Sequence, residues 1–326
     1  MPPGPTRRGP SGAGPPHSTG RQHESMRATV LRSSRVGLFL AYAILSAGTI
    51  AALLPQLWMV ACSFKPGSEI FSPPRSVVEA RRRDPNAHPG LIRVTADLLT
   101  PREPTTSNYR RLFTEVPFGQ FFVNSLFVAT GSTLLTLFFC TLGGYAFAKY
   151  QFPGKGPLFA ILLGSMMIPF QVLLVPLFAL IGALNWFDTY AAIMVPFSAS
   201  AFGVFLLRQY TLTVPDQLLD AARIDGCTEF GIYWNVVLPV VRPAVGALAI
   251  FTFMNDWNNY LWPLIVLRSN ETYTLPLGLA GLVGVYSQEY GMLMAGSLLS
   301  TLPIILLFLW MQREFVSGIT LGAVKE

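Results

Sequence analysis

The sequence predicts an all-α, polytopic membrane protein with six transmembrane helices, and three observations predict it. Of 326 residues, 52% are hydrophobic and only 12% charged, where a soluble domain carries about 25% charged. Six apolar stretches are long enough to cross a bilayer: Val36–Ala61, Phe121–Ala148, Leu158–Leu184, Tyr190–Leu207, Ala244–Val266 and Tyr290–Met311. None has the polar face with a 3.6-residue period that a surface helix of a soluble protein needs. Asp256 is their single Asp, Glu, Lys or Arg.

In chain order, residues 1–35 are dense in Pro, Gly, Ser and Arg, with six arginines from Arg7 to Arg35 against Glu24. Such a stretch cannot bury enough apolar surface to fold, and it reads as a disordered basic tail drawn to an anionic inner leaflet. Nucleic-acid binding is the weaker reading, and Met26 is an alternative start. Val36–Ala61 exceeds the apolar core of a cleaved signal peptide, so residues 36–120 read as a first transmembrane helix and a long external loop. Residues 117–312 form the core, interrupted by a polar loop at 208–242. Residues 313–326 are a C-terminal tail.

The short loops set the orientation. Lys149 and Lys155 lie between the second and third stretches with no acid beside them, whereas Gly182–Thr189 has no basic residue. The excess of positive charge on cytoplasmic loops therefore places both termini and the 208–242 loop in the cytoplasm. The loop Cys62–Gln120 pulls the other way, with nine Lys and Arg including Arg81-Arg82-Arg83, but at its length the rule weakens.

Catalytic chemistry is not legible. Cys62, Cys140 and Cys227 have no metal-ligand spacing, and His17, His23 and His88 all lie outside the apolar stretches. Gly154-Lys155-Gly156 lacks the spacing of a phosphate-binding loop. The expectation is a chain that is not an enzyme, with no catalytic residue, metal site or cofactor.

The loop at 208–242 is longer than a turn between helices requires. Pro215 suits a helix start, and Asp216 and Asp220 favour its positive end. Leu218, Ala221, Ala222 and Asp225 then form a stripe with alanine at its middle. Gly226 fits the left-handed residue that ends such a helix. A second helix from Thr228 would run to Leu238 and end or bend at Pro239. The loop is thus either a docking helix or an amphipathic elbow on the bilayer surface.

The run from Leu219 to Pro243 resembles the loop of importer permeases whose pattern is Glu-Ala-Ala, three residues, Gly, and later Leu-Pro. Asp220 stands at the Glu position, and Ala221, Ala222, Gly226, Leu238 and Pro239 match. Asn124-Ser125, Ala148-Lys149-Tyr150, Pro169, Pro176, Trp257–Pro263, Gln312–Val316 and Gly322–Lys325 extend the resemblance from about Ser46 onward. The chain is similar to the second permease of maltose-type, binding-protein-dependent carbohydrate ABC importers. That resemblance implies the type I importer permease fold and a heterodimer with another permease. It further implies an ABC ATPase dimer and an extracytoplasmic sugar-binding protein as partners, in contact with membrane lipid and with no nucleic acid. Leu219, Asp220, Ala221, Ala222, Asp225, Gly226, Leu238 and Pro239 would couple to the ATPase. A glycerol-phosphate ester, a polyol, or a secondary-carrier mechanism stands as the alternative. The stretch Pro73–Pro104 matches no feature of the pattern.

The fifth stretch places Asn255, Asp256, Trp257, Asn258 and Asn259 at membrane depth. Polar groups there face a water-filled path or lock helices together. As a candidate translocation path, this run offers amides and a carboxylate for sugar hydroxyls, and aromatic faces for sugar C–H groups.

Overall fold

A computed structural model describes residues 19–84, 86, 88–284 and 289–321. They are predominantly helical, and no strand forms among them. The chain divides into two compact units, 1–57 and 58–326. The first contains most of helix α1 (Thr19–Ser63). This helix begins inside the stretch expected to stay unfolded. The Pro- and Gly-dense residues that motivated the expectation lie before Thr19, outside the described residues. From Gly37 onward α1 is apolar, and Leu38, Phe39, Ile44 and Leu45 are exposed.

The second unit opens with four short helices in the long loop, α2 (Gly67–Ile70), α3 (Arg75–Arg83), α4 (Leu91–Leu99) and α5 (Ser107–Thr114). Buried Asn108 donates to the carbonyls of Ser63 (2.9 Å) and Lys65 (2.8 Å) and so fastens this loop to the end of α1. The long helix α6 (Phe118–Lys149) follows, then α7 (Lys155–Ser165) and α8 (Phe170–Ala183). Next come α9 (Ala191–Met194), α10 (Ala201–Leu212), α11 (Asp216–Ile224), α12 (Glu229–Ile232) and a π-helical segment, Tyr233–Val237. The chain ends with α13 (Leu238–Val240), α14 (Arg242–Trp257), α15 (Leu261–Val266), α16 (Leu275–Ala280) and α17 (Tyr290–Leu321).

Among the described residues, not all of the six expected stretches are continuous helices. Three described helical segments are long and apolar enough to cross a membrane: Gly37–Ser63, Phe118–Lys149 and Tyr290–Trp310. Two bent pairs raise the number to five: α7 with α8, bent by 103°, and Glu229–Val240 with α14, bent by 80°. The break after Ser165 precedes Pro169, which disfavours a helical Ile168. The stretch Tyr190–Leu207 is interrupted around Pro196 and restarts at α10, where the Ser200 hydroxyl caps the helix by accepting from Gly203 N–H (3.3 Å). The stretch Ala244–Val266 stops at Trp257 and resumes as the six-residue α15.

Small residues set how closely the helices approach. A Cβ on Gly144 of α6 would lie 2.8 Å from Leu207 Cβ and 2.9 Å from Arg208 N of α10. Buried Cys140 fills the space left by Gly203, as a small apolar filler does. At the other end of α6, Asn124 donates to the carbonyls of Glu271 (2.7 Å) and Tyr273 (3.0 Å), and Ser125 Oγ accepts from Leu275 N–H (2.6 Å). Near that end Asp188, in the left-handed region at φ 61°, accepts from the N–H groups of Arg268 and Ser269 and from Thr272 Oγ1. Burial pushes its carboxyl up, but these hydrogen bonds outweigh burial and hold it below the usual carboxylate range.

Candidate functional sites: an elbow and a polar cavity

The elbow is built from α11, the turn at Gly226 and α12. Helix α11 starts at Asp216, one residue beyond Pro215. Asp216 meets Lys149 Nζ from the end of α6 at 2.7 Å, and Lys149 also donates to the Val214 carbonyl. The helix ends as a Schellman motif, with Gly226 N–H donating to Arg223 O (3.0 Å) and Cys227 N–H to Ala222 O (3.0 Å). Gly226 has φ 82°, as its position in the pattern required. Thr228 then caps α12, its Oγ1 accepting from Gly231 N–H (3.1 Å).

Four side chains close this turn. Arg223 pairs with Asp220 (2.9 Å) and Glu229 (2.8 Å), and Glu229 accepts from the Tyr150 hydroxyl at 2.6 Å. The Arg223 guanidinium, and after it Tyr150, hold the Glu229 carboxyl down at about 2. Burial, and after it Glu229, pushes the Tyr150 hydroxyl up. Beneath, the Tyr233 hydroxyl lies 2.6 Å from Thr141 Oγ1, and the Tyr145 ring packs on both Tyr150 and Tyr233. The elbow is thus tied to the last two turns of α6.

The structure divides the stripe expected to dock. Leu219 and Ala222 are buried against Tyr145, Val214, Ile232, Tyr233, Val237 and Val241 of the same chain. The small Ala222 therefore admits the chain's own helices, not a partner's groove. Asp220, Ala221, Asp225 and Gly226 face outward, as does Leu218. Ile224, which the motif does not contain, is an exposed apolar knob at 86%. Nor does Pro239 end the second helix. The chain passes through the π-helical segment, Leu238 half-buried and Pro239 exposed, and bends at Val241. Proline has no N–H to bond the carbonyl one turn back, and the π-helical segment Tyr233–Val237 occupies the turn before it.

The second site lies where three helix breaks meet. A cavity of about 640 Å³ is lined by Ser165, Ile168 and Phe170 from the α7–α8 break and by Pro196, Phe197 and Ser200 from the α9–α10 break. Thr136, Thr252, Asn255 and Asp256 add polar groups to a wall that also holds Leu173, Phe202, Leu248 and Phe251. An adjoining cavity of about 500 Å³ shares Phe170, Phe197, Asn255 and Asp256, and adds Asn258, Asn259, Tyr260 and Leu261 from the α14–α15 break. Irregular backbone at membrane depth is tolerated where it lines a cavity or is buried in protein.

The run 255–259 is split by these contacts. Asp256 accepts from Asn255 Nδ2 (3.4 Å). Asn258 donates to Met254 O (2.7 Å), and Asn259 Oδ1 accepts from Trp262 N–H (3.4 Å). Trp257 is instead buried, its Nε1 donating to Ser300 O of α17 at 3.1 Å and its ring stacked on Phe253. Trp262 likewise donates to Ala192 O at 2.9 Å. The two tryptophans thus tie helices together, while Asn255, Asp256, Asn258 and Asn259 line the cavities.

Residues 140–320 match the family model of the binding-protein-dependent transport system inner membrane component. The chain belongs to this family. It is 41% identical over 294 residues to the arabinooligosaccharides transport system permease protein AraQ of Bacillus subtilis, covering 89% of this chain and 96% of AraQ. To the lactose transport system permease protein LacG of Rhizobium radiobacter it is 36% identical, covering 87% and 95% of the two chains. A crystal structure of a bacterial ABC transporter involved in import of the acidic polysaccharide alginate superposes with a TM-score of 0.71. That superposition covers 87% of this chain and 98% of the other at 22% identity, and it shows the shared fold. This family member is thus a non-catalytic, inner-membrane permease subunit with the type I importer fold.

Proposed function

We propose that the chain forms half of the translocation pore of an ATP-driven carbohydrate importer. A second permease supplies the other half, an ABC ATPase dimer binds the elbow, and an extracytoplasmic binding protein delivers the sugar. The observation that carries this reading is the convergence of three helix breaks on two adjoining cavities that share Asp256, in a chain whose elbow is clamped to α6. Related permeases named for arabinooligosaccharides and lactose support a carbohydrate as cargo. In this arrangement both termini and the loop at 208–242 face the cytoplasm. Movement of the ATPases displaces α11 as a rigid body and opens the core, 117–312, to one side at a time. Differential binding of the two arrangements by the ATPase drives the switch.

Purification from mild detergent tests the assembly: an ATPase subunit and a second permease are expected to accompany the chain. Uptake of labelled arabinooligosaccharide or lactose into vesicles is expected to need ATP. Recovery of the chain without an ATPase, together with uptake indifferent to ATP depletion, would overturn the proposal. Reporters fused at Lys155 and after Glu326 are expected to be cytoplasmic, and one near Asn86 external.

A further inference from the structure

We propose that the paired cavities admit uncharged, polyhydroxylated solutes and turn anions away, with Asp256 as the residue that sets this charge selectivity. The inference rests on reading the cavities as the pathway, and it separates a neutral sugar from a phosphate ester or an acidic sugar.

Asp256 lines both cavities, and no Lys, Arg or His lines either one among the described residues. Several basic residues of the core are engaged elsewhere. Lys149 pairs with Asp216 at the elbow, Arg208 stacks on Phe159 and donates to Phe147 O, and Arg268 stacks on Phe187. A single carboxylate between apolar walls has its field concentrated along the cavity and is screened less than a surface charge.

Its hydrogen bonding points the same way. An ionised carboxylate only accepts, at about four lone-pair sites. Asn255 reaches it at a long 3.4 Å. The remaining capacity suits hydroxyl groups, which donate, and suits neither phosphate nor carboxylate. The amides of Asn255, Asn258 and Asn259 offer both donors and acceptors to a sugar, and Phe170 and Phe197 present aromatic faces in both cavities. An anion entering here meets repulsion that no described Lys, Arg or His of this chain's lining offsets.

Thr252 lies one helical turn before Asp256 and lines the larger cavity, so a cysteine there reads the local field. The test uses vesicles carrying the assembled transporter with Cys227→Ser, since Cys227 is exposed while Cys62 and Cys140 are buried. Thr252→Cys is reacted with two methanethiosulfonates of similar size, one bearing trimethylammonium and one sulfonate, each rate normalised to free cysteine. The cation-to-anion ratio is expected to be about tenfold higher with Asp256 than with Asp256→Asn. It is also expected to collapse toward the Asn value near 1 M salt, where the screening length is about 3 Å. A ratio that ignores both the substitution and the salt overturns the charge filter and leaves the pathway reading standing. No reaction with either reagent overturns the pathway itself. Should Asp256→Asn fail to assemble, the salt series in the Asp256 background decides alone.

Discussion

The elbow and the cavity both gather polar side chains, but they use them in opposite ways. At the elbow the groups bind one another: Lys149 holds Asp216, and Arg223 bridges Asp220 to Glu229, which holds Tyr150. In the cavity the amides reach only neighbours on their own helix or its break, and Asp256 keeps unused accepting capacity. The exposed ion pairs of the elbow contribute little stability, but together they fix its geometry, as the proposed rigid-body displacement requires. The cavity is left incomplete by its own chain, as the proposed binding and release of a cargo require.

The two faces of α11 give the largest expected contrast. Ala222→Asp places a charge among Tyr145, Val214 and Val237, where an unpaired buried charge costs ~3–5 kcal/mol. Little folded chain is expected in the membrane. Ile224→Asp, two residues on, alters a side chain that is 86% exposed. It is expected to leave thermal stability unchanged while retention of the ATPase during purification falls about tenfold. Equal loss of chain from both variants would erase the distinction between an inner and an outer face.

Gly226 comes next. A Cβ there meets nothing within 4 Å, so only the backbone at φ 82° resists substitution. Gly226→Val is expected to lose about five- to thirtyfold of ATP-driven uptake, from ~1–2 kcal/mol of strain. Gly226→Asn, a residue that tolerates left-handed backbone, is expected to retain most uptake. Identical uptake by the two variants would show that coupling does not depend on this turn.

The clamp is expected to give a smaller effect. Glu229→Gln and Tyr150→Phe are each expected to lower sugar imported per ATP hydrolysed by about threefold, the size an exposed network supports. The double variant should be little worse than either, because both break one connection. Glu229 has its folded carboxyl at about 2, below the usual 4.5. The clamp is thus complete above pH 4.5 and weakens only as pH falls toward 2. Coupling between pH 5 and 8 is expected to show no titration from this group, and a midpoint near pH 6 that vanishes in Glu229→Gln would contradict the geometry.

Particular residues show how much of this was legible. Gly226 was, because positive φ leaves a compositional mark, and so were the composition-driven long helices α6 and α17. The breaks at Ser165–Phe170 and Met194–Ala201 were hidden, because apolar length alone does not register a proline that interrupts a span. The inward turn of Ala222 was hidden too: a small residue permits close approach without naming what approaches. Arg223, Glu229 and Tyr150 lie close to the recognised motif, but their joining depends on α6 returning to the elbow, a contact spanning 79 residues between Tyr150 and Glu229.

The smallest expected effect on stability tests the cavity side through two adjacent residues. Asn258 is exposed and spends one amide hydrogen on Met254 O, so Asn258→Ala should change stability by no more than about 0.5 kcal/mol. If it meets cargo, losing one hydrogen bond should raise the half-saturating sugar concentration about two- to tenfold. Trp257 is 1% exposed and joins α14 to α17 through Ser300. Trp257→Phe loses that hydrogen bond, worth ~0.5–1.5 kcal/mol, and leaves a smaller ring in a fully buried site. Its thermal midpoint should drop while half-saturation stays put. Uptake titrations and melting curves on the two variants check both outcomes. If Asn258→Ala lowers the midpoint as far as Trp257→Phe and leaves half-saturation unmoved, the polar run is packing throughout and the contrast with the elbow disappears.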